Sequence, residues 1–422
     1  MKYNKKEISW AFYDWANSAF ATTVMAGFFP LFFKKYWAVG EDVSHSTFLL
    51  GLGNSLGSII VALLAPILGA MADRGSSRKK FLLGFALLGI VMTGSLSLVA
   101  QGNWPFAITI FVMAFIGFAG GNVFYDSFLV FVAGKERAHR VSALGYSLGY
   151  LGGGLLFALN VLMTMYPSTF FLVDKSQAIK VSFFLVSCWW LVFTIPLLLV
   201  VKEPGEKKKI PLANMVKEGL KQFTQTFNKI RKLRVILLFL LGYWFYIDGV
   251  DTVIRMAVDY GLSLGFKTND LILALLITQF VGFPATLAFG HLGEKFGAKK
   301  GIYLGLVIYI GATIWAFFMT QSYEFYALAV VIGLAQGGIQ ALSRSLYASI
   351  IPPGQAAEFF GFYNMLGKFA AVLGPVLMGT VGLLTKSPRL SILSLVIFFI
   401  IGGTFLFFVD EKEGKKLANE LR

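Results

Sequence analysis

The 422 residues are 57% hydrophobic and 14% charged, with a mean hydropathy of +0.71 and a formal net charge of +15. That balance excludes a water-soluble globular domain, because most of the chain needs surroundings less polar than water. It also excludes nucleic acid as the partner of the positive charge, since the cations lie in short loops between long apolar runs, where anionic headgroups are their neighbours.

Runs of roughly 20 apolar residues recur throughout, enough at about 1.5 Å per residue to cross a hydrocarbon layer of roughly 30 Å as a helix. Their continuity, rich in Leu, Phe, Ile, Gly and Ala, does not fit the short alternating segments of a β-barrel. The basic start MKYNKKEISW resembles a leader, but the run behind it carries Asp14, Asn17 and Ser18 and stays apolar to Phe33, so it reads as the first span. Breaks at Gly, Pro and charge clusters place spans near 8–35, 46–71, 81–101, 105–133, 140–165 and 179–201. After the charged break KEPGEKKKIP, Leu212, Val216, Leu220, Phe223, Phe227 and Ile230 recur at helical spacing, with Lys217, Lys221 and Lys229 opposite. This predicts an amphipathic tether lying at an anionic membrane surface. Six further spans follow near 235–263, 269–292, 301–320, 323–350, 359–384 and 389–409.

The expected fold is an all-α integral membrane protein of twelve transmembrane helices in two pseudo-symmetric six-helix bundles. Residues 1–201 and 235–409 form the bundles, 202–234 the linker and 410–422 a tail. Of the 37 Lys and Arg residues, 27 fall on the side of the termini and linker and seven on the other. The positive-inside rule then puts both termini in the cytoplasm, as expected for a bacterial inner-membrane protein. An internal repeat supports the two halves: GAMADRGSSRKK matches GHLGEKFGAKK, aligning Gly69 with Gly290, Asp73 with Glu294, Arg74 with Lys295 and Arg78 with Lys299. Gly120 and Gly121 likewise align with Gly337 and Gly338.

GxxxDRxxxRK between spans two and three resembles the signature loop of the major facilitator superfamily, with GSSRK where the superfamily usually has a GR pair. A short basic loop with one acid can bond helix ends across the two bundles and hold one conformation until transport breaks it. Within that superfamily, YDWANSAFATTV at 13–24, SALGYSLGYLGGG at 142–154 and SRSLYASIIPPGQAAEFFGFYNMLGKFAAVLGP at 343–375 resemble the vacuole effluxer, or unknown major facilitator, family. The resemblance implies efflux of small metabolites, with amino acids as the expected class.

Ionisable groups inside spans cost at least about 2.5 kcal/mol each at mid-helix and therefore point to a cavity or a partner. Asp14 and Asp126 occupy the first bundle, with Asn17, Asn122 and Tyr125 nearby in sequence; Arg344 and Lys368 occupy the second. Three readings stay open. The pairs form an interbundle cytoplasmic gate; or the cations bind a substrate carboxylate while the acids take its amine or a proton; or each charge is satisfied within its own bundle, Asp14 by serving the first helical turn. Span seven carries Asp248, Asp251, Arg255 and Asp259 within an arc of roughly 80°. These are either an i, i+4 ion-pair ladder or an acidic excess suited to proton coupling or cation recognition, with Asp248 the deepest.

The glycines of span five, from Gly145 to Gly154, predict close helix packing, and Trp189 and Trp190 predict a core position. Trp10, Trp37 and Trp104 read as interfacial belts. Cys188 reads as a packed small residue. His45, His139 and His291 lack metal-site spacing, so no metal or cofactor is expected. With no phosphate-binding loop or nucleophile elbow, the chain reads as a non-enzyme driven by a gradient, moving a small-molecule substrate by alternating access with a proton as coupling ion, as a monomer. The rival readings are an exporter of amphipathic drugs or siderophores and a non-transporting membrane receptor or scaffold.

Overall fold

The structure is a computed structural model; it describes residues 3–41, 43–75, 77–203, 221 and 224–420, excepting the side chains of 43–45, 47–48, 54, 74–75, 135–136, 268, 370–372 and 419. Every regular element among these residues is helical. Twelve helices are long and apolar enough to span: α1 (Lys5–Trp37), α2 (Leu49–Asp73), α3 (Arg78–Leu98), α4 (Trp104–Val132), α5 (Arg137–Met165), α6 (Lys175–Val200), α7 (Arg234–Ser263), α8 (Asn269–Phe296), α9 (Ala298–Phe318), α10 (Ser322–Ile350), α11 (Pro353–Thr385) and α12 (Pro388–Phe407). The chain is therefore an integral multi-pass membrane protein, and large side chains such as Leu63, Leu199 and Leu383, 59%, 77% and 82% exposed, suit lipid. Of the expected amphipathic tether, 204–220 and 222–223 lie outside the described residues, while 224–232 are helical. A further helix, α13 (Glu411–Glu420), closes the chain.

Local chemistry sets the helix starts. Asn4 and Glu7 form a reciprocal capping box, Glu7 N donating to Asn4 Oδ1 at 2.9 Å and Asn4 N to Glu7 Oε2 at 2.8 Å. This moves the start of α1 ahead of the expected residue 8 and leaves Asp14 in the helix interior, so Asp14 does not serve the first turn. Asp174 caps α6 with its side chain alone, accepting from Gln177 N at 2.7 Å, while Gln177 Oε1 accepts from Val173 N at 2.6 Å. Beyond Ala19, α1 widens into π-helix over Phe20–Phe28 and again over Phe33–Trp37, flanking Pro30.

The chain divides into two compact units. Unit 1 holds 1–61, 78–125 and 148–203; unit 2 holds 62–77, 126–147 and 204–422. In unit 1 the glycine stripe of α5 lies on α1: a Cβ on Gly152 would stand 2.7 Å from the Trp15 carbonyl oxygen, and one on Gly153 2.8 Å from Thr22 Oγ1. Trp15 stacks on Trp189 at 5.5 Å, and Trp190 is fully buried. Trp10 and Trp37 correct the expectation of interfacial belts, since both are 0% exposed. Each indole N–H has found a carbonyl, Tyr125 O at 3.0 Å and Val99 O at 3.4 Å, which lets the ring pack inside.

In unit 2 the buried axis is α10, whose residues Gly337–Ile350 are nearly all enclosed. The tail helix α13 sets Gly414 against Ile350 and Val235.

Candidate functional site

The two repeated loops each tie down a helix. Asp73, at the end of α2, accepts the amides of Ala357 at 3.2 Å and Glu358 at 2.9 Å, so its carboxylate caps the first turn of α11 at the positive end of that helix. Gly69 permits this approach, because a Cβ there would run into the Ala357 carbonyl group and stand 2.9 Å from Glu358 Cα. In the second loop Glu294 pairs with Arg140 of α5 at 3.9 Å, and Gly290 lies against Ala143. Lys295 lies over the ring of its neighbour Phe296. The side chain of Arg74 is outside the described residues.

The basic ends of these loops carry a second device that the sequence reading did not single out. Within unit 1, Glu203 accepts the amides of Arg78 at 2.5 Å and Lys79 at 3.4 Å, while Lys79 Nζ donates to Val201 O at 2.9 Å. Within unit 2, Glu411 accepts Lys299 N at 2.9 Å, and Lys299 Nζ donates to Phe407 O at 2.7 Å and Val409 O at 2.8 Å. An acid just after the last span of each half thus caps that half's third helix, and a lysine answers at the carbonyl end. The signal was present: an acid follows the sixth span and the twelfth alike.

The central cluster of unit 2 gathers around Arg344, 1% exposed. Its Nη1 meets Asp126 Oδ1 at 3.1 Å, Nε donates to Ser142 Oγ at 2.9 Å, and Nη2 donates to Ser142 O at 2.9 Å. The guanidinium also lies over the Tyr146 ring at 4.1 Å. Asn364 of α11 donates to the second oxygen of Asp126 at 3.2 Å. Ser142 Oγ passes a bond on to Ala341 O at 2.8 Å, and His139 Nδ1 lies 2.8 Å from Ser345 Oγ. Four helices (α4, α5, α10 and α11) are therefore joined through the Arg344–Asp126 pair. A buried ion pair depends on further hydrogen bonds to its remaining donors and acceptors, and here Ser142 and Asn364 supply three of them. Lys368 has Arg255, Asp251 and Asp126 as electrostatic neighbours.

Asp14 takes another course. In unit 1 the Tyr125 hydroxyl donates to Asp14 Oδ2 at 2.8 Å, and Asn17 Nδ2 donates to Asn122 Oδ1 at 2.6 Å. Trp10 and Tyr13 pack on the Tyr125 ring with centroids 4.4 and 4.9 Å away. These four polar residues form two α1–α4 bonds, and Asp126, one residue beyond Tyr125, is not among them.

On α7 the ion-pair ladder does not form: among the described residues no pair within 4.0 Å links Asp251, Arg255 or Asp259. Arg255 and Asp259 are exposed, and water or headgroups outcompete a loose i, i+4 pair. Asp259 instead joins Tyr260, Ser263 and Lys386 in the wall of a cavity of about 340 Å³ between α7 and α11. Asp248, in contrast, is fully enclosed, its Oδ1 accepting Gly374 N at 2.9 Å. Among the described residues no three His, Cys, Asp or Glu side chains group to hold a metal ion.

Comparison with known proteins bears on this arrangement. Residues 36–419 match the model of the family described as vacuole effluxer Atg22 like. The chain is 39% identical to the MFS-type transporter YxiO of Bacillus subtilis (strain 168), covering 99% of this chain and 98% of that one. It is 24% identical to autophagy-related protein 22 of Pichia angusta over 93% of this chain and 79% of the relative. Its fold matches the crystal structure of the human organic anion transporter MFSD10 (TETRAN) with a TM-score of 0.70 at 14% identity, over 96% and 100% of the two chains. Twelve apolar helices, paired loop devices and these likenesses agree that the chain belongs to the Atg22-like vacuole effluxer family, within the major facilitator class of membrane transporters.

Proposed function

We propose that this transporter is a secondary exporter of small zwitterionic metabolites, amino acids foremost, working by alternating access with a proton as coupling ion. In this reading the basic loops and both termini face the cytoplasm of a bacterial cell, and the cluster around Arg344 is the cytoplasmic gate in its closed form. The observation that carries it is Arg344 itself. A guanidinium with each of Nε, Nη1 and Nη2 held by Asp126 or Ser142 is engaged within the protein, which supports a closing role over an open binding site. When the gate opens, the same cation is released and can meet a solute carboxylate, while Asp126 can meet an amine. The description of the family as effluxers supports the export direction.

The test uses chemical labelling. In a Cys188→Ser background, a cysteine replacing Ser349, 3% exposed and five residues past Arg344, is expected to resist a membrane-impermeant maleimide applied from the basic-loop side. Adding Arg344→Ala should open the path and make it reactive. Equal labelling with and without Arg344 would remove the gate reading.

A further inference from the structure

Asp248 stands apart from the gate. It lies in α7 with 0% of its surface exposed, and its two oxygens are treated unequally. Oδ1 accepts the backbone N–H of Gly374 at 2.9 Å and the hydroxyl of Thr252 at 3.2 Å. Oδ2 is buried without a hydrogen-bond partner. Gly374 precedes Pro375 inside α11, where the proline ring has no N–H to give to the preceding turn and the helix is weakened. A Cβ at position 374 would stand 2.7 Å from Asp248 Oδ1 and collide with Thr252, so glycine is what lets the carboxyl reach that amide.

The surroundings supply no counter-charge in contact. Among the described residues Asp248 makes no ion pair. Its electrostatic neighbours are Asp251 and Arg255 of its own helix. From α11 comes Lys368, which acts on Asp251 and Arg255. From α12, Phe399 covers Gly249 and Gly402 meets Tyr246; from α10, Ser343 bonds the Tyr246 hydroxyl at 2.7 Å; none of these brings a charge.

We propose that Asp248 is a proton-binding site, the proton residing on Oδ2, and that its occupancy is transmitted to α11 through the Gly374 amide. A carboxylate closed off with donors on only one oxygen leaves the other oxygen's charge unsolvated, whereas the neutral acid keeps both bonds to Oδ1. The enclosed state therefore takes up a proton from water. When α7 and α11 separate and water reaches Asp248, the charge is solvated, the proton returns to water, and the tie to Gly374 gives way at the point where Pro375 already weakens the helix. A ligand that binds one conformation better than another shifts the population between them, and here the ligand is the proton. This rests on the alternating-access reading and names its coupling site.

The test needs no solute. Infrared difference spectra of the full chain in lipid nanodiscs, titrated with pH, report the C=O band of a protonated carboxylic acid. Wild type should show such a band at neutral pH and Asp248→Asn should lack it, the asparagine carbonyl still accepting from Gly374. Identical acid bands in the two proteins overturn the proposal. Should Asp248→Asn not fold, Thr252→Val, which removes one donor from Oδ1, should shift the titration of the band, and an unshifted titration overturns it equally. The labelling of the Ser349→Cys protein reads the gate alone, so loss of the infrared result with the labelling result intact rejects the proton site and leaves alternating access standing.

Discussion

Arg344 and Asp126 meet at 3.1 Å, the two side chains 2% and 9% exposed, and the second oxygen of Asp126 is held by Asn364. Removing one partner leaves the other buried and uncompensated, a loss of roughly 3–5 kcal/mol for enclosed pairs, whereas replacing both with apolar groups of similar volume is often near neutral. Arg344→Met alone should therefore destabilise this conformation strongly, and Asp126→Leu with Arg344→Met should recover much of the loss. A double-mutant cycle on unfolding midpoints in detergent checks this; additive losses would mean the two residues are not coupled.

Asp73 is a cap made by one segment of unit 2 for the first turn of α11. Asp73→Ala removes two acceptors and should cost about 1 kcal/mol, with a ceiling near 2 kcal/mol. Because the cap exists only while α2 and α11 are together, the loss should fall on this conformation. The labelling of the cysteine at position 349 should rise several-fold, less than with Arg344→Ala. Asp73→Asn, which keeps one acceptor, should lie between wild type and alanine.

Gly152 lies against Trp15 so closely that a side chain has no room. Gly152→Val should force α5 away from α1, at a cost of typically 1–3 kcal/mol for overpacking. Gly84, which has open space around its Cβ direction, is the control: Gly84→Ala should leave the unfolding midpoint unchanged or raise it slightly.

What was legible in the sequence follows from which interactions leave a mark on residue type. The spans were legible because apolar runs of membrane length have no other use, and the charges within them because each is costly enough to need a reason. Which acid meets which base was not legible. Tyr125 and Asp126 are adjacent, and a rotation of about 100° per residue sends one to Asp14 and the other to Arg344. Partners that are backbone amides leave no mark at all: nothing in the letters of α11 announces that Gly374 N–H is taken by Asp248, or that Ala357 and Glu358 amides are taken by Asp73. Trp10 and Trp37 mislead for a similar reason, since the carbonyls that accept their N–H groups are invisible in the sequence.

The tail offers a pH prediction outside the membrane. Asp410 Oδ1 accepts the amides of Glu413 at 3.1 Å and Lys412 at 2.8 Å, starting α13, and these backbone bonds hold its carboxyl below the ordinary value of 3.8. A carboxyl lowered in the folded state adds stability that is present above the unfolded value and lost as pH falls through the folded one. Helix α13 should therefore loosen under acid conditions below the ordinary carboxylate range. A spin label at Lys416→Cys, in the Cys188→Ser background, should gain mobility there, and Asp410→Asn should lessen the change.

The solute itself decides between the exporter of zwitterions and an exporter of greasy compounds. A ligand that binds only the folded protein stabilises it by about 2.7 kcal/mol at a hundred times its dissociation constant, so a midpoint shift reports binding without a transport assay. Amino acids and dipeptides should raise the unfolding midpoint of wild type. Arg344→Lys, which keeps the charge but loses the planar fork, should weaken that response, and Arg344→Ala should remove it. The expectation turns on size: a small zwitterion has two charged ends and little else to hold, so losing the cation takes most of its recognition, whereas a large amphipathic molecule spreads its contacts over apolar walls. If siderophores or amphipathic drugs shift the midpoint in wild type and Arg344→Ala alike while amino acids do nothing, the zwitterion class fails and Arg344 is a gate residue with no part in recognition.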